Sequence, residues 1–157
     1  MINQERLKYL LDYNEFTGIL SRKYPGPGIK VGPAGTLKDG YIYIVVDGKQ
    51  YLAHRLIWLY VYGSFPENQI DHIDRNRSNN RLNNLREATK RQNQWNIGPR
   101  SRNKSGYKGV SKRGNKWRAR ININGYDKWL GIFPTEKEAY TAYCSAAKQL
   151  HGEFLNV

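Results

Sequence analysis

Sulfur and acid are scarce in this chain: 157 residues hold one cysteine, one methionine and 13 acidic residues, against 26 lysines and arginines. A single cysteine, Cys144, excludes a disulfide framework and any zinc site built from several cysteines. It lies in an alanine-rich segment and reads as a small core residue. No run approaches the roughly 18 apolar residues of a membrane span, and "MINQERLKYL" has no apolar leader, so a reducing cytoplasm is the expected compartment. The shortage of acid leaves a net charge of +13, which calls for a polyanionic partner. A basic surface kept only for solubility fits less well, because the charge is clustered. From Arg100 to Arg120 nine cations occur without one acid.

Hydrophobic residues make up 39% of the chain, enough for one or two modest cores. Residues 1–50 read as short strands separated by turn signals: Pro-Gly-Pro-Gly, Asp39-Gly40 and Asp47-Gly48. Between the last two lies "YIYIVV", β-branched and aromatic. Residues 53–63, "AHRLIWLYVYG", have a length that suits either a buried helix or a strand, and a helix ended by Gly63 is favoured. Residues 98–106 combine Gly, Pro, Ser and positive charge without hydrophobic period, which makes them a linker between domains at 1–97 and 107–157.

Beyond the linker, Trp117, Ala119, Ile121 and Ile123 alternate with Arg118, Arg120, Asn122 and Asn124, and Asn124-Gly125 is a hairpin turn. Thr135 and Glu138 form a capping box ahead of apolar residues at helical spacing. The expected unit is a three-stranded antiparallel sheet backed by one helix, and the whole chain is of α+β class.

Residues 71–96 carry the chemistry: "DHIDRNRSNNRLNNLREATKRQNQWN". "NQIDHID" reads as a strand, "RNRSNNR" as a loop, "LNNLREAT" as a second strand and "KRQNQWN" as a helix start capped by Thr89. A helix packed across that hairpin would let Asp71 and His72 face Asn93. A carboxylate and an amide oxygen are hard ligands suited to Mg²⁺, and a neutral histidine takes a proton from water near neutral pH. Together they make a minimal phosphodiester-cleaving site. The bland alternative is a turn rich in Asn with an incidental Asp-His pair.

The string "AHRLIWLYVYGSFPENQIDHIDRNRSNNRLNNLREATKRQN" resembles the HNH endonucleases, in the branch found among phage and intron-borne homing enzymes. The resemblance implies a ββα-metal fold, with His72 as general base, Asp71 and Asn93 as ligands of Mg²⁺ or Mn²⁺, and Asn84 rather than Asn83 pinning the loop. The third motif position is Asn93 instead of histidine. Many family members carry zinc-binding cysteines; this chain has none of them, so no structural zinc is implied. Arg75, Arg77 and Arg81 are candidates for gripping flanking phosphates, and His54 for buttressing the site.

Residues 106–157 resemble the AP2 DNA-binding domain through "YKGVSKRGNKWRARI" and "WLGIFPTEKEAYTAYCSAAKQLHGEFLNV". That resemblance implies an exposed sheet face in the major groove. Its contacting positions fall on Lys108, Ser111, Arg113, Arg118, Arg120, Asn122, Asp127 and Trp129, with Lys116 among the phosphate-facing cations. Plant members have arginine where this chain has Lys108, Ser111, Asn122 and Asp127, and glutamate at Arg120, so their preferred sequence does not transfer. His151 reads as a helix-end or surface group.

The expectation is therefore a metal-dependent DNA endonuclease of the HNH homing type acting on double-stranded DNA, without a membrane partner, in the cytoplasm of a bacterium or a phage-infected cell. Monomer and homodimer both remain open. The rivals are a non-catalytic DNA-binding regulator with a relic nuclease domain, and an RNA-binding accessory protein favoured only by charge.

Overall fold

The computed structural model describes residues 2–99, 101–123 and 125–154. The chain divides into two compact units, Met1–Asn93 and Gln94–Val157. The division falls a few residues before the expected boundary at 97/98.

The first unit begins with a helix, α1 (Gln4–Leu10), where only strands were expected. Asn3 caps it, its side chain accepting from the Arg6 amide at 2.9 Å. The helix is only two turns long and buries Leu7 alone, so it shows little apolar periodicity. It runs directly into β1 (Leu11–Asn14), which pairs with β2 (Ile19–Arg22), and β2 pairs with β3 (Gly32–Pro33). A second sheet holds β4 (Thr36–Lys38), β5 (Tyr41–Val46) and β6 (Lys49–Leu52). Its two turns are the expected Asp-Gly pairs. Asp39, Gly40, Asp47 and Gly48 all take positive φ, the geometry that joins twisted strands through two residues.

Helix α2 (Ala53–Tyr62) ends as expected at Gly63, at φ 82°. It buries Leu56, Ile57 and Leu59 in a core shared with Leu7, Leu11, Leu20, Ile44 and Ile70. There follow β7 (Gln69–His72), a loop, a 3-10 turn at Leu82–Asn84, β8 (Leu85–Ala88) and α3 (Lys90–Asn96). Thr89 caps α3 reciprocally with Gln92: the Gln92 amide donates to Thr89 Oγ1 at 3.3 Å, and Thr89 N–H donates to Gln92 Oε1 at 2.8 Å.

The second unit is an antiparallel sheet in the order β11-β10-β9, formed by β9 (Val110–Arg113), β10 (Lys116–Ile123) and β11 (Tyr126–Phe133). Helix α4 (Glu136–His151) packs on all three strands. Ala119, Ile121, Ala139, Tyr143 and Ala147 form the interface, with half-buried Cys144 at its margin. The Thr135–Glu138 box caps α4. Gly109 has no room for a side chain, since a Cβ there would overlap the Tyr143 ring. Pairing shifts between Ala119 and Arg120, where β11 bulges. Of the expected linker, Arg100 lies outside the described residues. Residues 101–106 form turns in which Asn103 Oδ1 accepts from the amide and hydroxyl of Ser105. Of the expected turn pair, Asn124 also lies outside the described residues, while Gly125 sits at φ 92°.

Candidate active site

The hairpin of β7 and β8 sets the site. Asp71 and His72 are successive residues of β7, so their side chains leave opposite faces. Asp71 pairs across the strands with Arg86, and His72 with Leu85.

On the first face, Arg86 donates to Asp71 Oδ2 from Nε at 2.9 Å and from Nη2 at 2.7 Å. Both side chains are largely buried, and Asp71 is 4% exposed. Gln69 lies two residues earlier on the same face, and its Oε1 accepts from Asn93 Nδ2 at 3.0 Å. Helix α3 therefore lays Asn93 against the Asp71 face of the hairpin. With its nitrogen on Gln69, the Asn93 amide has its Oδ1 as the atom that could take a cation. A carboxylate oxygen, buried, and an amide oxygen, half-buried, are donor types that Mg²⁺ or Mn²⁺ accepts, ions that keep several waters and add phosphate oxygens. Arg86 is the competitor for the carboxylate, and an ion at Asp71 must share it or displace it. Among the described residues no three His, Cys, Asp or Glu side chains cluster at metal-binding spacing. A carboxylate–amide pair is not a site of that kind.

His72 was expected to face Asn93 together with Asp71, but strand alternation turns it to the other face, where it is buried at 5% exposure. Its ring meets His54 of α2 edge-on at 5.0 Å and lies 6.2 Å from the Tyr41 ring of β5. Its Nε2 stands 3.0 Å from Asn80 Oδ1. An amide oxygen only accepts, so Nε2 carries the proton and Nδ1 the lone pair. Burial lowers the pKa of His72, with the Asn80 bond opposing it. Burial pushes His54 down to about 3, helped by His72 and Arg55. Both imidazoles are neutral near pH 7.

Asn84 is buried and holds the intervening loop. Its Oδ1 accepts from the Asp74 amide at 3.0 Å, while Nδ2 donates to Asp74 Oδ1 at 2.9 Å and to the Asn79 carbonyl at 2.8 Å. Asn83 is exposed. The three loop arginines are exposed as well. Arg75 takes φ 65°, Arg77 lies over the Tyr41 ring at 4.9 Å, and Arg81 Nε donates to the Phe16 carbonyl at 2.6 Å. Sequence reasoning missed Asn80, Tyr41 and Arg86. None of the three had a local signal, since even Arg86 stands opposite Asp71 only in the observed register of the hairpin.

The second unit carries a separate polar face. Ser111 and Arg113 of β9, Lys116, Arg118, Arg120 and Asn122 of β10, and Asp127, Trp129 and Ile132 of β11 share it by register. Arg118 Nε donates to Ser111 Oγ at 3.2 Å, Arg120 Nη1 to Asp127 Oδ2 at 2.7 Å, and Trp129 is 52% exposed. Asn122 is engaged at both ends of its amide, donating to Asp127 Oδ1 and accepting from Gly125 N. It locks the turn. Lys108, expected among the DNA contacts, sits elsewhere. Its ammonium donates to the carbonyls of Trp95 at 2.7 Å and Ile97 at 2.6 Å, closing the end of α3. His151, expected as a helix cap or surface group, does end α4 but is buried and stacks on Trp95 at 4.3 Å.

Residues 51–95, which contain the β7–β8 hairpin and most of α3, match the family model described as HNH endonuclease. That segment is thus similar to the HNH endonuclease family. It is 39% identical over 119 residues to a protein of Acanthamoeba polyphaga mimivirus named uncharacterized HNH endonuclease L560, covering 74% of this chain and 62% of the relative. It is also 39% identical over 75 residues to Protein 3.8 of Escherichia phage T7, covering 46% of this chain and 62% of that protein. The chain spans less than two thirds of the length of either relative. No solved structure matches.

Proposed function

We propose that this chain is a metal-dependent DNA endonuclease that hydrolyses phosphodiester bonds with the HNH site of its first unit. The observation that carries the proposal is the arrival of Asn93 on the Asp71 face of the hairpin, through Gln69, while the neighbouring residue is an imidazole held at Nε2 by Asn80. Asp71 and Asn93 would hold Mg²⁺ or Mn²⁺, which supplies charge stabilisation to the reacting phosphate and its leaving oxygen. His72 is the last residue of β7, and in this proposal its Nδ1 takes the proton of the attacking water around the strand end, from the face opposite Asp71 and Asn93, while Asn80 bonds Nε2 and Asn84 holds the loop that carries Asn80. Arg75, Arg77 and Arg81 bind phosphates of the same duplex.

In this proposal the second unit supplies site preference. Exposed Arg113, Lys116, Arg120 and Trp129 and half-buried Arg118 form a face with cations for phosphates and planar groups for base edges, in the manner of an AP2-like sheet. A nuclease joined to a sequence-reading module fits the homing type.

A non-catalytic DNA-binding regulator is the second reading. It is favoured by the Arg86 guanidinium on the Asp71 carboxylate and by the burial of His72. Supercoiled plasmid incubated with the full chain separates the two. Nicking or linearisation with Mg²⁺ or Mn²⁺ that EDTA abolishes supports the nuclease. A plasmid that is bound yet stays supercoiled supports the regulator.

A further inference from the structure

Phe16 is 80% exposed at the tip of the β1–β2 hairpin. Single exposed apolar side chains are common and mean little by themselves. This one differs in its mounting. The amides of Phe16 and Thr17 both donate to Asn14 Oδ1 at 3.0 Å, and the Gly18 amide donates to the Asn14 carbonyl at 2.8 Å. Arg81 Nε then binds the Phe16 carbonyl, and Gly18 lies so close to the backbone of Asn80 and Arg81 that a Cβ there would overlap it. The Tyr13 hydroxyl donates to the Asn80 carbonyl at 3.0 Å. The turn is thus fastened to Asn80 and Arg81, and Asn80 links it to the candidate site: its side chain touches His72 and its main chain the Phe16 hairpin. Beside the ring opens a cleft of about 460 Å³ lined by Phe16, Tyr13, Tyr60 and Lys8, with Glu15 its one acid.

We propose that Phe16 is a wedge that stacks on a base of the DNA substrate and unstacks one base step beside the site. The inference rests on the nuclease domain binding DNA, and it adds a contact that its metal and base residues do not supply. DNA is the occupant the surroundings select. The chain carries +13, Arg81 is bonded to the Phe16 carbonyl, Lys8 lines the cleft, and Arg75 and Arg77 lie on the same loop as Asn80. An aromatic ring stacks on any base whatever the sequence. A rigid apolar side chain between cationic neighbours is the arrangement by which proteins open a step and bend a duplex. Because the turn is already ordered, little further ordering is needed on insertion.

Permanganate reactivity of thymines tests this without knowledge of the target. Plasmid DNA is bound by the full chain in the absence of divalent metal, and unstacked thymines are mapped. The parent protein should create reactive steps, F16A should lose them, and F16W should keep them. With Mg²⁺, F16A should nick about tenfold more slowly. Its salt dependence of binding should match the parent's, since a phenyl ring releases no counterions. Reactive steps that F16A removes sustain the wedge even if no protein nicks, in which case the nuclease proposal fails alone. A parent without reactive steps, or F16A with the parent's pattern, overturns it, and points instead to a protein partner at the tip.

Discussion

The imidazole of His72 and the amide of Asn80 meet at 3.0 Å across eight residues of one loop. The amide oxygen holds the Nε2 proton and so leaves the lone pair on Nδ1. A histidine free to exchange tautomers would spend part of its time unable to accept a proton at the working nitrogen.

Asn80→Ala should therefore slow nicking by about 10- to 100-fold, short of the full loss of a general base. Affinity for DNA should stay at the parent level. Single-turnover nicking beside a binding titration checks both, and an unchanged rate would deny Asn80 its positioning role.

His54 predicts how the fold responds to acid. Its folded pKa of about 3 lies below the ordinary histidine value, so the unfolded chain binds the proton more readily. This stability contribution is complete above about pH 6.5 and falls as pH drops toward 3, by about 1.4 kcal/mol per pH unit. His72, lowered in the same direction, steepens the decline. Urea unfolding between pH 7 and 4 should show this slope, and His54→Leu should flatten it.

The Asp71–Arg86 pair makes a prediction about metal that needs no activity. Arg86→Met removes the guanidinium from a buried carboxylate and should cost about 3–5 kcal/mol. An ion held by Asp71 and Asn93 would restore the missing positive charge. Added Mg²⁺ should accordingly raise the thermal midpoint of Arg86→Met more than that of the parent, and Asn93→Ala should remove the difference. Equal shifts in all three proteins would place the ion elsewhere.

Arg118 and Arg120 differ from Lys108 in what their loss should change. Arg118→Ala with Arg120→Ala should reduce the slope of log affinity against log salt by up to about 1.8, if each meets a phosphate. Lys108→Ala should leave that slope alone and lower stability instead, because its ammonium closes the end of α3. A Lys108→Ala variant that loses salt dependence and keeps its stability would return that residue to the DNA face.

What could be read in the sequence was local. Asp39-Gly40 and Asp47-Gly48 fold as hairpin turns because two residues decide the backbone hand. The Thr135–Glu138 and Thr89–Gln92 caps close within one helical turn. The alternation through Trp117, Ala119, Ile121 and Ile123 appears as an inner face because the strand period is two. Pairings that depend on register or on distant segments were not legible. Arg86 meets Asp71 only once β7 and β8 are aligned. Asn80 meets His72 through the path of a loop. Lys108 turns to α3 because tertiary packing brings the helix end to it. Helix α1 went unread because two turns carry too few apolar residues to show a period.

The most direct measurement is the rate at which His72→Ala nicks plasmid DNA with Mg²⁺, set against its affinity for the same DNA. If His72 takes the proton of the attacking water, nicking should fall by roughly 10²- to 10⁴-fold while the affinity holds. Nicking at the parent rate would contradict the site at its centre.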